Sequence, residues 1–232
     1  MFIALSIQAT DWNKVSIPVS GVKDMTFLKI DDNICYAFVI SGTYPNYTSN
    51  VLKTSNGGDT WNTITQTGLN MGDNVIKAIA KGNNLYVISS EGMYKSTDNG
   101  ATWTAITNSQ ISGVNKPGDI CVDGDTIYVA CPAMGIYSSS DDFATLTPLK
   151  NNLSFAGTTC VSKINGVLYT ATSANVWRLS GTTWTAEIGN GIPAGGGLNI
   201  LQITEVNGRY YLSDATKGIY TSTDGKIWTA IA

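Results

Sequence analysis

The sequence is short of the side chains that carry most enzyme chemistry. Among its 232 residues there is no histidine, and there are only two arginines, Arg178 and Arg209, and three glutamates. The absence of histidine excludes catalytic triads that use histidine as the base and metal sites that use it as a ligand. Two arginines are also too few to form a cluster of three around an anionic substrate.

Charge is scarce as well. Only 13% of the residues are charged and the formal net charge is -3, whereas soluble domains usually contain roughly 25% charged residues. Nucleic-acid binding depends on clustered cations, so we expect no nucleic-acid partner. No apolar run approaches the about 18 residues of a membrane span. The first residues also lack the basic start and the cleavage site of a signal peptide.

The four cysteines do not form a metal-binding pattern. They are separated by 86, 10 and 29 residues, so there is no C-x-x-C pair and we expect no zinc site. Each lies in an apolar, strand-like stretch, which is typical of buried free thiols. We therefore expect no metal and no cofactor. The four residues are Cys35, Cys121, Cys131 and Cys160.

What the sequence does contain is a repeat. Five similar segments end 42, 43, 38 and 44 residues apart. A period of this length is the signature of a repeat architecture. The five copies are TSNGGDTW ending at Trp61, STDNGATW at Trp103, SSDDFATL at Leu146, LSGTTW at Trp184 and STDGKIW at Trp228.

A tyrosine recurs upstream of each copy, after an apolar residue and a turn sequence such as Asp-Gly or Asn-Gly. Each unit then reads as four short strands with alternating apolar residues, and no window has a helical period. Such units predict an all-β, five-bladed β-propeller of four-stranded antiparallel blades. We expect the propeller to form one domain over residues 1–232. The expected blades are about 22–65, 74–107, 117–150, 156–188 and 197–232.

Residues 1–21 precede the first complete unit. FIALSIQ and WNKVSI look like the last two strands of another blade, with Trp12 at the position of the repeated tryptophan. Two interpretations are open. The segment closes the ring beside the last blade and shields its edge, which we favour, or it is half of a sixth blade.

The recurring segment predicts a turn that is held by its own side chains. The aspartate accepts hydrogen bonds from backbone N–H groups of the turn, and the preceding hydroxyl assists. The glycine supplies a positive φ, and the tryptophan covers the turn. We expect this structural role for Thr54, Asn56, Trp61, Ser96, Asp98, Gly100, Trp103, Ser139, Asp141, Trp184, Ser222, Asp224 and Trp228.

The segments resemble Asp-box repeats, also called BNR repeats, whose pattern is Ser/Thr-x-Asp-x-Gly-x-Thr-Trp. Residues 96–103 are a near-perfect copy, and the resemblance extends over about residues 22–232. The copies depart from the pattern in places: Asn56 replaces the aspartate, Phe143 and Leu146 replace glycine and tryptophan, the fourth copy lacks the aspartate and the fifth is one residue shorter.

The resemblance implies a propeller like those of sialidases, sortilin-type receptors and photosystem assembly factors. In that family the motif joins the third and fourth strands, on the face away from the active centre. A sialidase would use three arginines around its substrate, so the resemblance implies no sialidase activity for a chain with two.

We expect function on the opposite face, where the loops between blades and between strands two and three meet. These loops are rich in amides, hydroxyls and aromatics, which suit a sugar or a protein surface. The candidate binding residues are Tyr44, Tyr47, Asn70, Met71, Asp73, Phe155 and Asn190.

The sequence thus predicts a non-catalytic binding, recognition or scaffolding propeller for a glycan or a protein surface, secreted or at the cell surface. The alternative is a polysaccharide-active glycoside hydrolase, which needs two facing carboxylates. The carboxylates near the blade-to-blade loops are Asp24, Asp73, Asp119 and Glu187.

Overall fold

The computed structural model describes residues 15–149, 151–153, 157–187, 191–192 and 197–231. These residues form five four-stranded antiparallel sheets and one turn of 3-10 helix at Gly113–Asn115. The prediction of an all-β, five-bladed propeller with four-stranded blades is confirmed. Among the described residues no helix is long and apolar enough to cross a membrane.

Each blade is a meander whose strands pair in chain order. Blade 1 contains β1 (Val22–Lys29), β2 (Cys35–Thr43), β3 (Asn46–Thr54) and β4 (Asn62–Ile64). Blade 2 contains β5 (Val75–Lys81), β6 (Asn84–Ser89), β7 (Gly92–Ser96) and β8 (Thr104–Ala105). Blade 3 contains β9 (Asp119–Asp123), β10 (Thr126–Cys131), β11 (Gly135–Ser139) and β12 (Thr147–Leu149). Blade 4 contains β13 (Cys160–Ile164), β14 (Val167–Ala171), β15 (Val176–Ser180) and β16 (Thr183–Ala186). Blade 5 contains β17 (Ile200–Val206), β18 (Arg209–Asp214), β19 (Gly218–Ser222) and β20 (Thr229–Ala230).

The hydrophobic core is divided into layers between consecutive blades. Phe38 of blade 1 and Trp103 of blade 2 meet edge to face, with ring centroids 5.7 Å apart, in the first layer. Equivalent layers separate blades 2 and 3, 3 and 4, and 4 and 5. An inner blade buries both of its faces in this way, so few of its strand positions are open to water. This accounts for the low proportion of charged residues.

In blades 2 and 4 the tyrosine that recurs on the second strand contacts the following blade. The Tyr86 hydroxyl of blade 2 donates to Asp142 of blade 3 at 2.6 Å, and its ring lies 6.0 Å from that of Phe143. In blade 4, Tyr169 lies so close to Gly225 of blade 5 that a Cβ there would be 2.5 Å from its hydroxyl. In these two blades the repeated tyrosine is therefore a contact between blades.

The segment before blade 1 is described only from residue 15. The predicted closing strands in residues 1–14 lie outside the described residues. Residues 15–21 form no strand, and β1 begins directly after them, at Val22. Ile17 and Val19 pack against the outer face of blade 1, beside Trp61. The chain therefore reaches blade 1 along the face that points away from blade 2.

All four cysteines are free thiols. Cys131 and Cys160 are buried, whereas Cys35 and Cys121 are half-buried. Each lies within or at the end of a strand, as the apolar sequence around it predicts.

Candidate functional site

The repeated turn of blade 2 joins β7 to β8 and is closed by its own side chains. The Ser96 hydroxyl donates to Asp98 at 2.9 Å, and Asp98 accepts from the N–H and hydroxyl of Thr102 at 2.8 and 2.6 Å. The hydrogen bond from the Thr102 hydroxyl is the main reason that the pKa of Asp98 falls to about 2. Trp103 Nε1 donates to the Gly100 carbonyl at 2.9 Å. These polar atoms are satisfied within the turn, which is the arrangement of a structural motif.

The turns of blades 1, 3 and 5 are closed in a similar way, by a hydroxyl that donates to a side-chain oxygen two residues later. In blade 1 the Asn56 side-chain oxygen accepts from the Thr60 N–H at 3.0 Å and from the Thr54 hydroxyl at 2.8 Å. An amide oxygen therefore does there what the carboxylate does in blade 2. The remaining copies use Ser139 with Asp141 in blade 3, Ser222 with Asp224 in blade 5, and a two-residue turn before Trp184 in blade 4.

A groove of about 410 Å³ opens at the opposite end of blades 1 and 2. Three loops form it: the β2–β3 hairpin, the connection from blade 1 to blade 2, and the β6–β7 turn. The structure thus brings together four of the residues singled out from the sequence. The groove is lined by Tyr44, Pro45, Tyr47, Asn70, Gly72, Asp73 and Glu91.

Met71 is the exception among the candidates from this loop. Its side chain is completely buried and packs in the layer between blades 1 and 2. The expectation that Met71 belongs to a binding surface is therefore corrected: it anchors the loop that carries Asn70 and Asp73. Phe155 and Asn190 lie outside the described residues.

Hydrogen bonds from both blades fix this loop. The Met71 N–H donates to the Ser49 hydroxyl of blade 1 at 2.8 Å. On the blade 2 side, the Ser90 hydroxyl accepts from the Asp73 N–H at 3.0 Å and donates to the Met71 carbonyl at 3.1 Å. Gly72 has a φ of +62°, and a Cβ at this position would lie 2.4 Å from the Ser90 hydroxyl. The polar wall of the groove is therefore preorganised.

The groove is lined by two acidic side chains, and Lys23 and Lys116 lie at its edge. Lys23 donates to the Asp73 backbone carbonyl, lies 3.6 Å from its carboxylate and sits 4.9 Å from the Tyr47 ring centroid. The Ser90 hydroxyl, and after it the Lys23 ammonium, lower the pKa of Asp73. Asp73 is consequently ionised at neutral pH, while Glu91 adds a second acidic side chain to the wall.

The side chain of Tyr44, by contrast, is open to solvent. Its side chain is 84% exposed at the tip of the β2–β3 hairpin. These two strands have nine residues each, compared with six and five in blade 2, so the hairpin tip projects beyond the rim. An aromatic face is thereby presented to solvent beside a polar groove.

The other carboxylates considered from the sequence have structural partners. Asp24 accepts from the Val75 N–H at 2.8 Å, Asp119 pairs with Lys77 at 2.5 Å, and Glu187 accepts from Arg178 Nε at 3.0 Å. Of the four, Asp73 lines the groove. Within the described ranges, no three His, Cys, Asp or Glu side chains are grouped so that they could hold a metal ion.

Glu91 is the groove residue that the sequence reasoning missed. It lies in the two-residue turn between β6 and β7, which is much shorter than the loops that drew attention. Every turn between the second and third strands of a blade lies on this face, whatever its length. The position of Glu91 in the repeat could therefore have identified it as a candidate.

The fold and the groove define the class of this protein as a β-propeller with a preorganised groove on its loop face. Residues 9–145 match the DUF6242 beta propeller domain, and the chain belongs to that family.

The chain is also similar to proteins of known activity. A xyloglucanase from Paenibacillus sp. is 29% identical, over 75% of this chain and 21% of the enzyme. The chain therefore spans about a fifth of that enzyme's length. Among solved structures, the GH74 xyloglucanase of Xanthomonas campestris is 16% identical with a TM-score of 0.67, covering 91% of this chain and 38% of the enzyme. YCF48 bound to D1 peptide is 16% identical with a TM-score of 0.65, covering 96% of this chain and 73% of YCF48. The two structural likenesses show the shared fold.

Proposed function

We propose that this propeller is a non-catalytic module that binds a polysaccharide chain in the groove between blades 1 and 2. The observation that carries the proposal is the 84% exposed Tyr44 ring beside a fixed wall of amide and carboxylate groups. The C–H face of a pyranose ring stacks on an aromatic ring, and its hydroxyls donate to carboxylates such as Asp73 and Glu91. Asn70 adds an amide on the same wall.

The charge of the groove favours a neutral glycan. The lining carries the ionised Asp73 and the acidic Glu91, and at its edge Lys23 and Lys116 each donate to a backbone carbonyl of the groove loops. The acidic side chains that line the groove would repel an anionic polysaccharide. The similarity to xyloglucanases makes xyloglucan, a neutral glucan with side chains, the first ligand to test.

The ionisation of Asp73 favours binding over hydrolysis in this groove. Glycoside hydrolysis requires a carboxylic acid that keeps its proton near neutral pH and a second carboxylate. Asp73 does not meet the first requirement, because the Ser90 hydroxyl and the Lys23 ammonium lower the pKa of its carboxyl. A hydrolase would have to use Glu91 as its acid, from an exposed turn.

Calorimetric titration with xyloglucan oligosaccharides tests this proposal. We expect Tyr44→Ala to weaken binding about tenfold, the equivalent of losing one aromatic contact of about 1.4 kcal/mol. Tyr44→Phe keeps the ring and should bind within about twofold of the unaltered chain. Ile227→Ala, at an exposed position on blade 5, is the surface control. Equal binding by all four proteins would contradict the proposed role of the groove.

A second candidate, a polysaccharide-active glycoside hydrolase, is favoured by the 29% identity to a xyloglucanase and by the presence of Asp73 and Glu91 in one groove. Release of reducing ends from xyloglucan measures it. If the unaltered chain cleaves xyloglucan and both Asp73→Asn and Glu91→Gln abolish cleavage, this function replaces the first.

The same face would also accept a protein ligand. YCF48, which shares the fold, is recorded bound to a peptide. If no glycan binds and a peptide array gives a signal that depends on Tyr44, the ligand is a protein. A polysaccharide ligand fits a location outside the cell or at its surface, which protease protection of intact source cells would test.

We also infer that the repeated turns are Asp boxes. The inference is supported by the hydrogen bonds from Ser96 and Thr102 to Asp98, which recur in blade 3. They lie at the end of the blades opposite the groove, so their role in the proposed function is to hold the outer strands. Asp98→Ala should lower thermal stability and leave glycan affinity unchanged.

A further inference from the structure

The innermost strands of the five blades surround a central channel. Its volume is about 550 Å³, compared with about 410 Å³ for the groove. Residues of β1, β5, β9 and β17 line it together with Thr159, which directly precedes β13, so every blade contributes to the wall. The lining residues of β5, β9 and β17 lie where these strands begin, after the blade-to-blade connections, so the channel opens on the loop face. Cavities of about 300–1,000 Å³ are typical of small-ligand sites.

One position of the first strand supplies polar side chains to this channel. In each blade it pairs with the residue two places after the repeated tyrosine of the second strand. Four of the five residues at this position line the channel, whereas the fifth, Cys160, is buried. The channel therefore contains a ring of polar groups at one level. The five residues are Thr26, Lys77, Asp119, Cys160 and Gln202.

Lys77 and Asp119 neutralise each other within this ring. The ammonium nitrogen and the carboxylate oxygen are 2.5 Å apart, and the Asp119 side chain is only 6% exposed. Asp119 also accepts from the N–H groups of Ile120 and Val161, each at 2.8 Å. The protein itself thus uses this carboxylate, and the pair offers no net charge to a ligand. A charged ligand would lose its hydration here without gaining an unpaired counter-ion.

Three side chains of the ring keep hydrogen-bonding capacity for a ligand. The Lys77 ammonium has three N–H groups, and one of them is donated to Asp119. The Thr26 hydroxyl and the Gln202 amide line the channel and have no protein partner among the described residues. A hydroxyl and an amide both donate and accept. This mixture of donors and acceptors suits the hydroxyl groups of a neutral molecule.

Two apolar side chains lie between this ring and the mouth of the channel. β5 and β17 are irregular at equivalent positions, where the pairing with the second strand skips Ile76 and Leu201. A bulge of this kind redirects the side chain of the extra residue. Ile76 is 39% exposed and Leu201 is 58% exposed, and both line the channel. The wall therefore combines polar groups with apolar surface that can contact carbon-bound hydrogens.

We propose that the central channel is a second binding site, which takes a small neutral polyhydroxylated molecule such as a monosaccharide. The ligand hydroxyls bond to Thr26, Lys77 and Gln202, while its carbon-bound hydrogens pack on Ile76 and Leu201. The channel and the groove have no lining residue in common. The proposal is therefore independent of glycan binding in the groove.

Methyl NMR of the full chain with labelled isoleucine and leucine tests the proposal, with glucose and xylose as probes. At least one sugar should shift the methyl signals of Ile76 and Leu201 to saturation, whereas Ile227, which is 63% exposed on blade 5, should not shift. Gln202→Ala should raise the dissociation constant about fivefold, as expected for one lost hydrogen bond. Gln110→Ala removes an exposed amide from the connection between blades 2 and 3 and is the matched control.

Tyr44→Ala separates this site from the groove. The saturable shifts of Ile76 and Leu201 should persist in this variant, and their loss would overturn the proposal, because the signals would then report binding in the groove. The absence of shifts with both sugars, shifts that do not saturate, or equal dissociation constants for Gln202→Ala and Gln110→Ala would also overturn it. If Gln202→Ala does not fold, Thr26→Val keeps the shape of its side chain and should weaken binding to a similar extent.

Discussion

Asp119 provides the strongest test of how the blades are held together. Its side chain is almost completely buried and accepts three hydrogen bonds, from Lys77 of blade 2 at 2.5 Å, from the Ile120 N–H at 2.8 Å and from the Val161 N–H of blade 4 at 2.8 Å. One carboxylate therefore links three blades. Asp119→Ala removes the carboxylate partner of a half-buried ammonium and of two buried N–H groups.

We expect Asp119→Ala to lower the free energy of unfolding by about 3–5 kcal/mol, the usual cost of removing one partner of a buried ion pair. For a chain of this length, that loss lowers the melting temperature by on the order of 10 °C. Asp123→Ala is the matched control, because Asp123 pairs with Lys163 at 3.4 Å and its side chain is 53% exposed. Exposed pairs contribute about 0–1 kcal/mol.

Urea unfolding followed by tryptophan fluorescence measures both variants, and equal slopes against urea are required before their free energies are compared. A loss for Asp119→Ala as small as that for Asp123→Ala would refute the reasoning. Lys77→Met in the Asp119→Ala background should recover part of the loss, because it removes the unpaired ammonium.

Three further predictions follow from other parts of the molecule. Gly68→Ala should destabilise more than Gly124→Ala, because a Cβ on Gly68 would lie 2.2 Å from the Trp103 carbonyl, whereas one on Gly124 meets nothing within 4 Å; thermal melts of both variants compare them. Burial would raise the pKa of Asp142, but hydrogen bonds from two lysines and a tyrosine outweigh it and lower the pKa to about 2. Its contribution to stability is thus complete above the unfolded value of about 3.8 and is lost as the pH falls toward about 2, so Asp142→Asn should flatten that part of the stability profile. Burial raises the pKa of the Cys160 thiol to about 12, so it should react with a thiol reagent at pH 8 only after unfolding.

The fold was predictable because its repeated element is local. The side-chain hydrogen bonds of Asp98 are made to Ser96 and Thr102, so the eight residues of the repeated segment contain the whole turn. The substitution of Asn56 for the aspartate preserves the accepting oxygen and hence the turn. Five such turns at a regular spacing are sufficient to define the blades.

The replacement of glycine by Phe143 depends on a contact that the sequence of the turn does not predict. Phe143 adopts a φ of +72°, a conformation that costs about 1–2 kcal/mol for a residue with a Cβ. Its ring is buried and packs against Tyr86 of the preceding blade, which offsets that cost. The contact joins residues 57 positions apart, so the turn sequence does not reveal it.

The candidate site was predictable in part for the same reason. Asn70 and Asp73 lie in the long polar connection between blades 1 and 2, and Tyr44 lies at the tip of the β2–β3 hairpin, within a stretch rich in polar residues and tyrosine. Such segments mark the loop face of a propeller. Whether a loop residue points outward depends on the neighbouring blade: Met71 turns into the core between two blades, and Glu91 reaches the groove from a short turn. The burial of Met71 is not contained in the local sequence, and Glu91 can be found only from its position in the repeat.

The most direct test of the central claim measures binding and cleavage in the same sample. The chain is incubated with xyloglucan, and both the bound polysaccharide and the newly formed reducing ends are quantified, with Tyr44→Ala alongside. The account predicts saturable binding that is weakened in Tyr44→Ala and no increase in reducing ends with time. A steady release of reducing ends that is lost in Glu91→Gln would contradict it, as would binding that is unchanged in Tyr44→Ala.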